Sequence, residues 1–240
     1  MTLLIVYEDE DILAINKPAG LSVHKVSPTD SQETLADMLV RERPYLKGVG
    51  DLPAGRQGIN LRPGIVHRLD KETSGIMVIA KNQAAFEFFK KQFQEHTIKK
   101  EYLALVYGHP KQPRGIIDVP LGKLGTKQTT LIHGKRELTE RKAETAYETV
   151  KTFGPPAGGY TLLKVMPKTG RTHQIRVHLK AIGCPVVGDK LYAKGRTMPH
   201  GLDRMFLHAQ RIEFVTPGGK ALILEAGLPE DLQNMLSVLQ

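Results

Sequence analysis

Short apolar runs separated by polar breaks dominate the chain. Leu3-Leu4-Ile5-Val6-Tyr7 and Ile12-Leu13-Ala14-Ile15 flank the acidic stretch Glu8 to Asp11 and read as two strands around a turn. Lys17-Pro18-Ala19-Gly20 breaks the pattern. Asp30, with Glu33 three residues later, marks a helix start; Leu35, Met38 and Leu39 give that helix its apolar face, and Pro44 ends it. Asp51 to Asn60 carries Pro53, Gly55 and Gly58 without periodicity and reads as a loop. Ile76 to Ala80 is a strand. A helix follows from about Asn82 with Phe86, Phe89 and Phe93 on one stripe, a spacing typical of core rather than of a stacking platform. Tyr102 to Tyr107 is another strand, and the polar, basic region from Gly122 to Lys142 reads as an exposed loop or hairpin. Thr145 to Lys151 and Tyr160 to Val165 alternate as paired strands. Ile175, Leu179 and Ile182 define a further helix face, stopped by Gly183 and Pro185. Phe206 to Val215 and Lys220 to Leu224 close with strands. Many strands and few helices, without regular βαβ alternation, predict an α+β fold with a mixed, largely antiparallel central sheet flanked by a few helices and loops.

Composition narrows the partners. The 240 residues allow one large domain or two small ones. Lys and Arg number 34 against 25 Asp and Glu, a net charge of +9, which favours a polyanionic partner such as RNA, DNA or an anionic membrane. The single cysteine, Cys184, forms no internal disulfide and no Cys-x-x-Cys zinc pair, which fits a reducing cytoplasm. Glu8 to Asp11 cut short the first apolar stretch, so no signal peptide is expected. No run of 18 apolar residues predicts a membrane span. His173, His178 and His208 have no carboxylate or thiol at a familiar ligand spacing, so no metal is expected.

The chemistry concentrates between Arg62 and Lys81. Asp70 sits among Arg62, His67, Arg68 and Lys71, ahead of Thr73-Ser74-Gly75 and an apolar strand. Neighbouring cations favour an ionised carboxylate, suited to act as a nucleophile or to stabilise an oxocarbenium ion. A turn aspartate that caps the backbone before the strand fits the same residues. Further along, His173, Arg176 and Lys180 share one face of a helix opposite Ile175, Leu179 and Ile182, and offer cations either to a cleft or to solvent. Tyr102 shares a strand face with Ala104 and Val106, as a core tyrosine would. Lys17 and His24 are candidate phosphate contacts or plain loop residues.

His67-Arg68-Leu69-Asp70-Lys71-Glu72-Thr73-Ser74-Gly75 resembles the signature of RluA-type pseudouridine synthases, and other stretches follow in that family's order. Glu8 to Gly20 resembles its opening strand pair and Lys-Pro-x-Gly turn. Lys100 to Val106 resembles the strand that bears its active-site tyrosine. Thr169 to His178 resembles the motif whose arginine pairs with the catalytic aspartate, and Phe206-Leu207-His208-Ala209 a further strand. The resemblance runs from about residue 5 to about residue 225. It implies a single catalytic domain over residues 1–240, with the pseudouridine synthase fold and a central active-site cleft. It implies Asp70 as the catalytic carboxylate, Tyr102 against the uracil ring as general base, and Arg176 as partner of Asp70. Arg68, His67, Arg171, His173, Lys180 and Lys17 are then RNA-binding candidates. The expected partner is structured RNA, large-subunit ribosomal RNA or tRNA or both. The enzyme is expected to be a cytoplasmic monomer with no cofactor, no metal and no membrane contact. The small RNA-binding domain that precedes many relatives is not expected here, and residues 51–60 read as a surface insertion. Two rivals remain: a nucleoside or glycoside hydrolase, which needs a second carboxylate near Asp70, and a non-catalytic RNA-binding protein that tolerates loss of Asp70.

Overall fold

A computed structural model describes residues 2–25, 31–51, 62–124, 127–130, 141–155 and 158–239. In chain order the elements are β1 (Leu4–Glu8), β2 (Ile12–Lys17), α1 (Leu35–Glu42), a 3-10 turn (Pro44–Gly48), β3 (Ser74–Ala80), α2 (Gln83–Gln94), β4 (Lys99–Tyr107), β5 (Arg114–Asp118), β6 (Leu121–Leu124), β7 (Lys127–Thr130), β8 (Glu144–Phe153), β9 (Tyr160–Pro167), α3 (Gln174–Ala181), β10 (Leu207–Val215), β11 (Ala221–Glu225) and α4 (Glu230–Val238). The pairs β1–β2, β2–β3, β10–β11, β4–β9, β8–β9, β5–β8 and β6–β7 are all antiparallel, and the class is α+β as expected. The chain divides into two compact units, residues 1–98 with 211–226, and residues 99–210 with 227–240.

In the first unit, β2 pairs with β1 on one side and β3 on the other. The β1–β2 turn forms because the Asp9 carboxylate accepts from the backbone N–H groups of Asp11 (2.9 Å) and Ile12 (2.7 Å), satisfying donors that the turn would orphan. β3 is buried along its whole length, which explains its unbroken apolar run. Helix α1 begins four residues later than the Asp30 signal implies. Thr34 caps it, with Asp37 closing a reciprocal box, and Asp30 lies outside the described residues. Its predicted face is borne out: Leu35, Met38 and Leu39 are all buried. The first turn of α1 also hydrogen-bonds to the carbonyls of Ser22 and Val23, fixing the segment that leads to His24. Asn82 caps α2, whose Phe86 and Phe89 are buried and whose body packs on β3. Phe89 meets Phe214 of β10 edge-on at 5.3 Å. Buried Gln92 covers the backbone of Val215, donating to its carbonyl (2.8 Å) and accepting from its N–H (3.2 Å).

In the second unit the strand order is β4-β9-β8-β5. The two-residue period of β4 sorts its side chains into two cores. Ala104 and Val106 join Leu163, Val165 and the Ile175 and Leu179 of α3, with Ile182 partly buried beside them, as the helix periodicity predicts. Leu105 and Tyr107 join Leu162, Phe206 and the Leu232 and Met235 of α4. Helix α4 has no counterpart among the elements read from sequence. The polar 122–142 region contains a short hairpin, β6 with β7, and residues 131–140 lie outside the described residues, as does most of the 51–60 segment.

Candidate active site

In the first unit the site is built on the segment that enters β3. Gly64 adopts φ +65° and lies against the carbonyl of Ala80; a Cβ there would come within 2.2 Å of that oxygen. Its own carbonyl accepts from Ala80 N–H, and Ile65 bridges Ile79, so the segment is laid along the strand. A Gly64→Ala variant is expected to lose about 2–4 kcal/mol of unfolding free energy through overlap and strain together, measurable by urea denaturation. His67, read from sequence as an RNA contact, serves as a brace: its Nε2 accepts from Val78 N–H (2.9 Å) and its ring stacks on Phe93 at 4.7 Å. That contact also explains why Phe93 lies on the aromatic stripe of α2 while being only half-buried.

The turn at Asp70 closes through a hydrogen bond from Thr73 N–H to the Asp70 carbonyl (3.1 Å). Thr73 and Ser74 are buried beneath it, and the Asp70 side chain is half-buried. The Lys71 carbonyl accepts from Gly20 N–H and from the Lys17 ammonium. Lys17 is wholly buried, and its Nζ donates to the carbonyls of Pro18 (2.8 Å), Leu21 (2.9 Å) and Lys71 (3.2 Å). The expectation of a phosphate contact at Lys17 is therefore corrected. A buried ammonium saturated by three carbonyls holds the turn together and has no face for a ligand.

The cations next to Asp70 are arginines. Arg68 and Asp70 are close enough to feel each other's charge. Crowding around the Arg68 guanidinium holds it below the usual arginine value, the Asp70 carboxylate opposes that shift, and Arg62 adds to it. Both Arg62 (Nη2, 2.9 Å) and Arg68 (Nη1, 3.2 Å) hydrogen-bond Nε2 of His24. Burial, then the two arginines, depress His24 to about 4, so the imidazole is neutral at pH 7.

In the second unit Tyr102 stands on β4, partly buried against the core that holds Ala104 and Val106, so its shared strand face is as expected. Two residues earlier, burial depresses Lys100 to about 8, and its ammonium donates to the Thr169 carbonyl at 3.4 Å. The 169–174 segment that Lys100 supports is held by a dense set of hydrogen bonds. Thr169 Oγ1 donates to Gln174 Oε1 (2.7 Å) and accepts from Glu144 N–H (3.2 Å), and Arg171 N–H also donates to Gln174 Oε1 (3.0 Å). Gln174 Nε2 donates to Thr145 Oγ1 (3.0 Å), which lies 2.9 Å from Nδ1 of buried His178. His178 Nε2 lies 2.9 Å from the Val119 carbonyl, which can only accept, so the ring proton sits on Nε2 and Nδ1 accepts from Thr145. This network explains why Gln174 and His178 are buried although both are polar.

The stripe read on α3 is gathered around one aromatic ring. His173 enters the helix in a left-handed conformation (φ +54°) and hydrogen-bonds the Tyr192 hydroxyl through Nδ1 (3.0 Å). Arg176 lies over the Tyr192 ring at 5.0 Å and Lys180 at 5.9 Å. Arg176 also makes a two-pronged ion pair with Asp189: Nε to Oδ2 2.7 Å and Nη2 to Oδ1 2.9 Å. The Asp189 side chain is fully buried and further accepts from the N–H groups of Leu191 and Tyr192. Burial would push its carboxyl up, but Arg176 and the two amides outweigh that and hold it below the ordinary aspartate value. Arg171 reaches the Lys142 carbonyl with its Nε at 3.3 Å. Sequence reasoning missed Asp189, Tyr192 and Lys100, and left His24 as either a phosphate contact or a plain loop residue. A carboxylate and a tyrosine three residues apart after Gly188 were the available signal for the first two. Among the described residues no group of three His, Cys, Asp or Glu side chains is placed to hold a metal ion, and no helix is long and apolar enough to cross a membrane.

Comparison with known proteins bears on what these residues do. The RNA pseudouridylate synthase family profile matches residues 11–181. An uncharacterized RNA pseudouridine synthase of Synechocystis sp. is 35% identical over 98% of this chain and 68% of its own length. A ribosomal large subunit pseudouridine synthase D of Zymomonas mobilis is 34% identical over 98% of this chain and 72% of its own. Among solved structures, human RNA pseudouridylate synthase domain containing 1 superposes with a TM-score of 0.71 at 26% identity, covering 99% of this chain and 94% of that one. The family match spans both the Asp70 turn and the Arg176 helix, and the chain belongs to the RNA pseudouridylate synthase family, of the RluA type.

Proposed function

We propose that Asp70 is the carboxylate through which this RNA pseudouridine synthase isomerises uridine, and that its substrate is large-subunit ribosomal RNA. The observation that carries the first part is the Asp70 turn itself. Its backbone is pinned from below by Lys17 and Gly20, while its half-buried carboxylate stands beside the Arg68 guanidinium. Relatives named for the large ribosomal subunit support the second part.

The reaction breaks the N1–C1′ bond, turns the uracil and joins C5 to C1′. Atoms and electrons balance without water, oxidant or nucleotide. The carboxylate either attacks C1′ or stabilises its developing positive charge. Uracil leaves as a resonance-stabilised anion, so the second carboxylate that a glycoside hydrolase requires has no task here. By the family resemblance Tyr102 lies against the uracil and takes the C5 proton. A phenol with a pKa near 10 is a weak base at pH 7, and it suffices because C5 is acidified once it is bonded to C1′. Arg176, held by Asp189 and Tyr192, supplies a fixed cation. Arg68, Arg171, His173 and Lys180 are proposed RNA contacts, and the net charge of +9 supports binding to a polyanion while the target base is turned out of its stack.

Carbodiimide mapping of pseudouridine in total RNA, from cells with and without this gene, tests the proposal. The expected result is loss of discrete stops in large-subunit ribosomal RNA when the gene is absent. Unchanged ribosomal stops, with stops lost from another RNA, would transfer the substrate assignment to that RNA. The mass of RNA is uninformative, since uridine and pseudouridine are isomers.

A further inference from the structure

Lys100 is a partly buried titratable group that the reaction as described leaves without a task. It stands two residues before Tyr102 on β4, so the alternation of the strand puts both side chains on one face, about 7 Å apart along the chain. Ala104 and Val106 continue that face into the core against α3. The Lys100 ammonium donates to the Thr169 carbonyl at 3.4 Å, at the start of the segment that leads into α3. That carbonyl is its one described partner. The same chain shows what an ammonium kept for structure looks like: Lys17 is wholly buried and engages three carbonyls at 2.8, 2.9 and 3.2 Å. Lys100 makes a single bond, longer than any of those, and two of its three N–H donors have no partner among the described residues. Burial holds the group down to about 8, so the ammonium still predominates at pH 7 although its surroundings disfavour the charge. An under-satisfied cation on the face of Tyr102 suits a ligand that supplies the missing acceptor.

We propose that Lys100 is a further catalytic residue, which donates one of its unused N–H groups to a carbonyl oxygen of the target uracil. The inference rests on the reading that the uracil lies against Tyr102, and it adds the group that meets the ring's charge. When the N1–C1′ bond breaks, its electron pair stays with the uracil and spreads over N1 and the two carbonyl oxygens. The carbonyl of the bound nucleoside is neutral, so a cation at that oxygen binds more strongly as the bond breaks and lowers the barrier. The proton stays on nitrogen throughout, and the contact weakens again once C5 has joined C1′ and the ring is neutral. The donor retained by the Thr169 carbonyl keeps the side chain directed along this face.

The test is a single-turnover assay of the full chain, in excess over total RNA from cells lacking this gene, with carbodiimide stops as the readout. Lys100→Met is expected to lower the saturating rate about 10²-fold, while the half-saturating enzyme concentration stays within about twofold of wild type. Its thermal melting is expected at or above the wild-type temperature, since a poorly satisfied charge has been removed. Lys100→Gln, whose amide can still donate to the Thr169 carbonyl, is expected to stay as slow as Lys100→Met. An unchanged saturating rate in Lys100→Met, a loss confined to the half-saturating concentration, or full recovery in Lys100→Gln would overturn the contact. If neither variant folds, the wild-type enzyme carries the test on RNA fragments whose mapped uridine is replaced by 2-thiouridine or 4-thiouridine. Sulfur is a weak acceptor, so one of the two is expected to react about tenfold more slowly, and equal rates for all three would overturn the proposal. Tyr102→Phe is assayed alongside. An inactive Tyr102→Phe beside a fully active Lys100→Met would sink the lysine contact and leave the reading of Tyr102 standing. An active Tyr102→Phe beside a slow Lys100→Met would move the general base elsewhere and keep the lysine.

Discussion

Asp70→Asn is expected to abolish pseudouridine formation, with a fall in rate of at least about 10³-fold, while RNA binding survives. The substitution is nearly isosteric. The backbone of the turn is held by the Thr73 N–H on the Asp70 carbonyl and by Lys17 and Gly20 on the Lys71 carbonyl, none of which involves the carboxylate. The fold of the turn therefore persists when the charge is removed. An amide neither attacks C1′ nor stabilises an oxocarbenium ion, so the barrier rises by about 4 kcal/mol or more. Binding should hold or tighten, because a negative charge has been removed next to cations that face a polyanion. Single-turnover assays with carbodiimide readout, together with a filter-binding curve on the same RNA, measure both quantities. Retained turnover in the Asn variant would exclude this carboxylate as the reacting group.

The second large effect is expected at Asp189. Its carboxylate is fully buried and is paired at both oxygens with Arg176, whose side chain is only 11% exposed. Asp189→Asn removes the charge; its amide oxygen can keep the donors at the Oδ1 position, from Arg176 Nη2, Leu191 and Tyr192, but its NH2 then faces the Arg176 Nε donor. Breaking one side of a buried ion pair costs about 3–5 kcal/mol, which urea denaturation would register directly. Activity should fall as well, because Arg176 loses the fork that orients it. The double variant Arg176→Met/Asp189→Leu separates the two effects. A well-packed apolar pair in place of a buried ion pair is often neutral in stability, but Leu at 189 also takes the acceptor from the Leu191 and Tyr192 N–H groups, so melting should recover only in part while pseudouridine formation stays low. Recovery of activity along with stability would show that the pair serves the fold alone.

These two residues show where sequence reading reached and where it stopped. Asp70 stands out as the catalytic candidate because its neighbours in sequence form a nine-residue signature. The α3 stripe was legible because a single helix sets its spacing, and the helical repeat alone puts His173, Arg176 and Lys180 on one side. Asp189 lies in a stretch without periodicity, and its role depends on a helix thirteen residues earlier folding back to meet it. The burial of Lys17 and the arginine partners of His24 were hidden for the same reason. Whether a loop cation is buried or exposed depends on segments far along the chain: Lys71, 54 residues away, for one, and Arg62 and Arg68, 38 and 44 residues away, for the other. The start of α1 was misread because Asp30 and Glu33 satisfy the same spacing rule as Thr34 and Asp37; the box directly before Leu35 is the one that caps the helix. Helix α4 was overlooked although Pro229 and the acidic pair Glu230-Asp231 mark its start. Its apolar positions, Leu232, Met235 and Leu236, are few, and they become meaningful only against the core that Leu105 and Phe206 provide.

The buried ammonium of Lys17 has a mechanical consequence. One cation is shared by three carbonyls, two from residues 18–21 and one from residue 71, so neither segment can shift without stripping a charged group of its ligands away from water. The early loop and the turn bearing Asp70 therefore move as one body. Thermal motion that would displace the Asp70 turn must displace both segments at once, and the rivet that couples them is a wholly buried side chain.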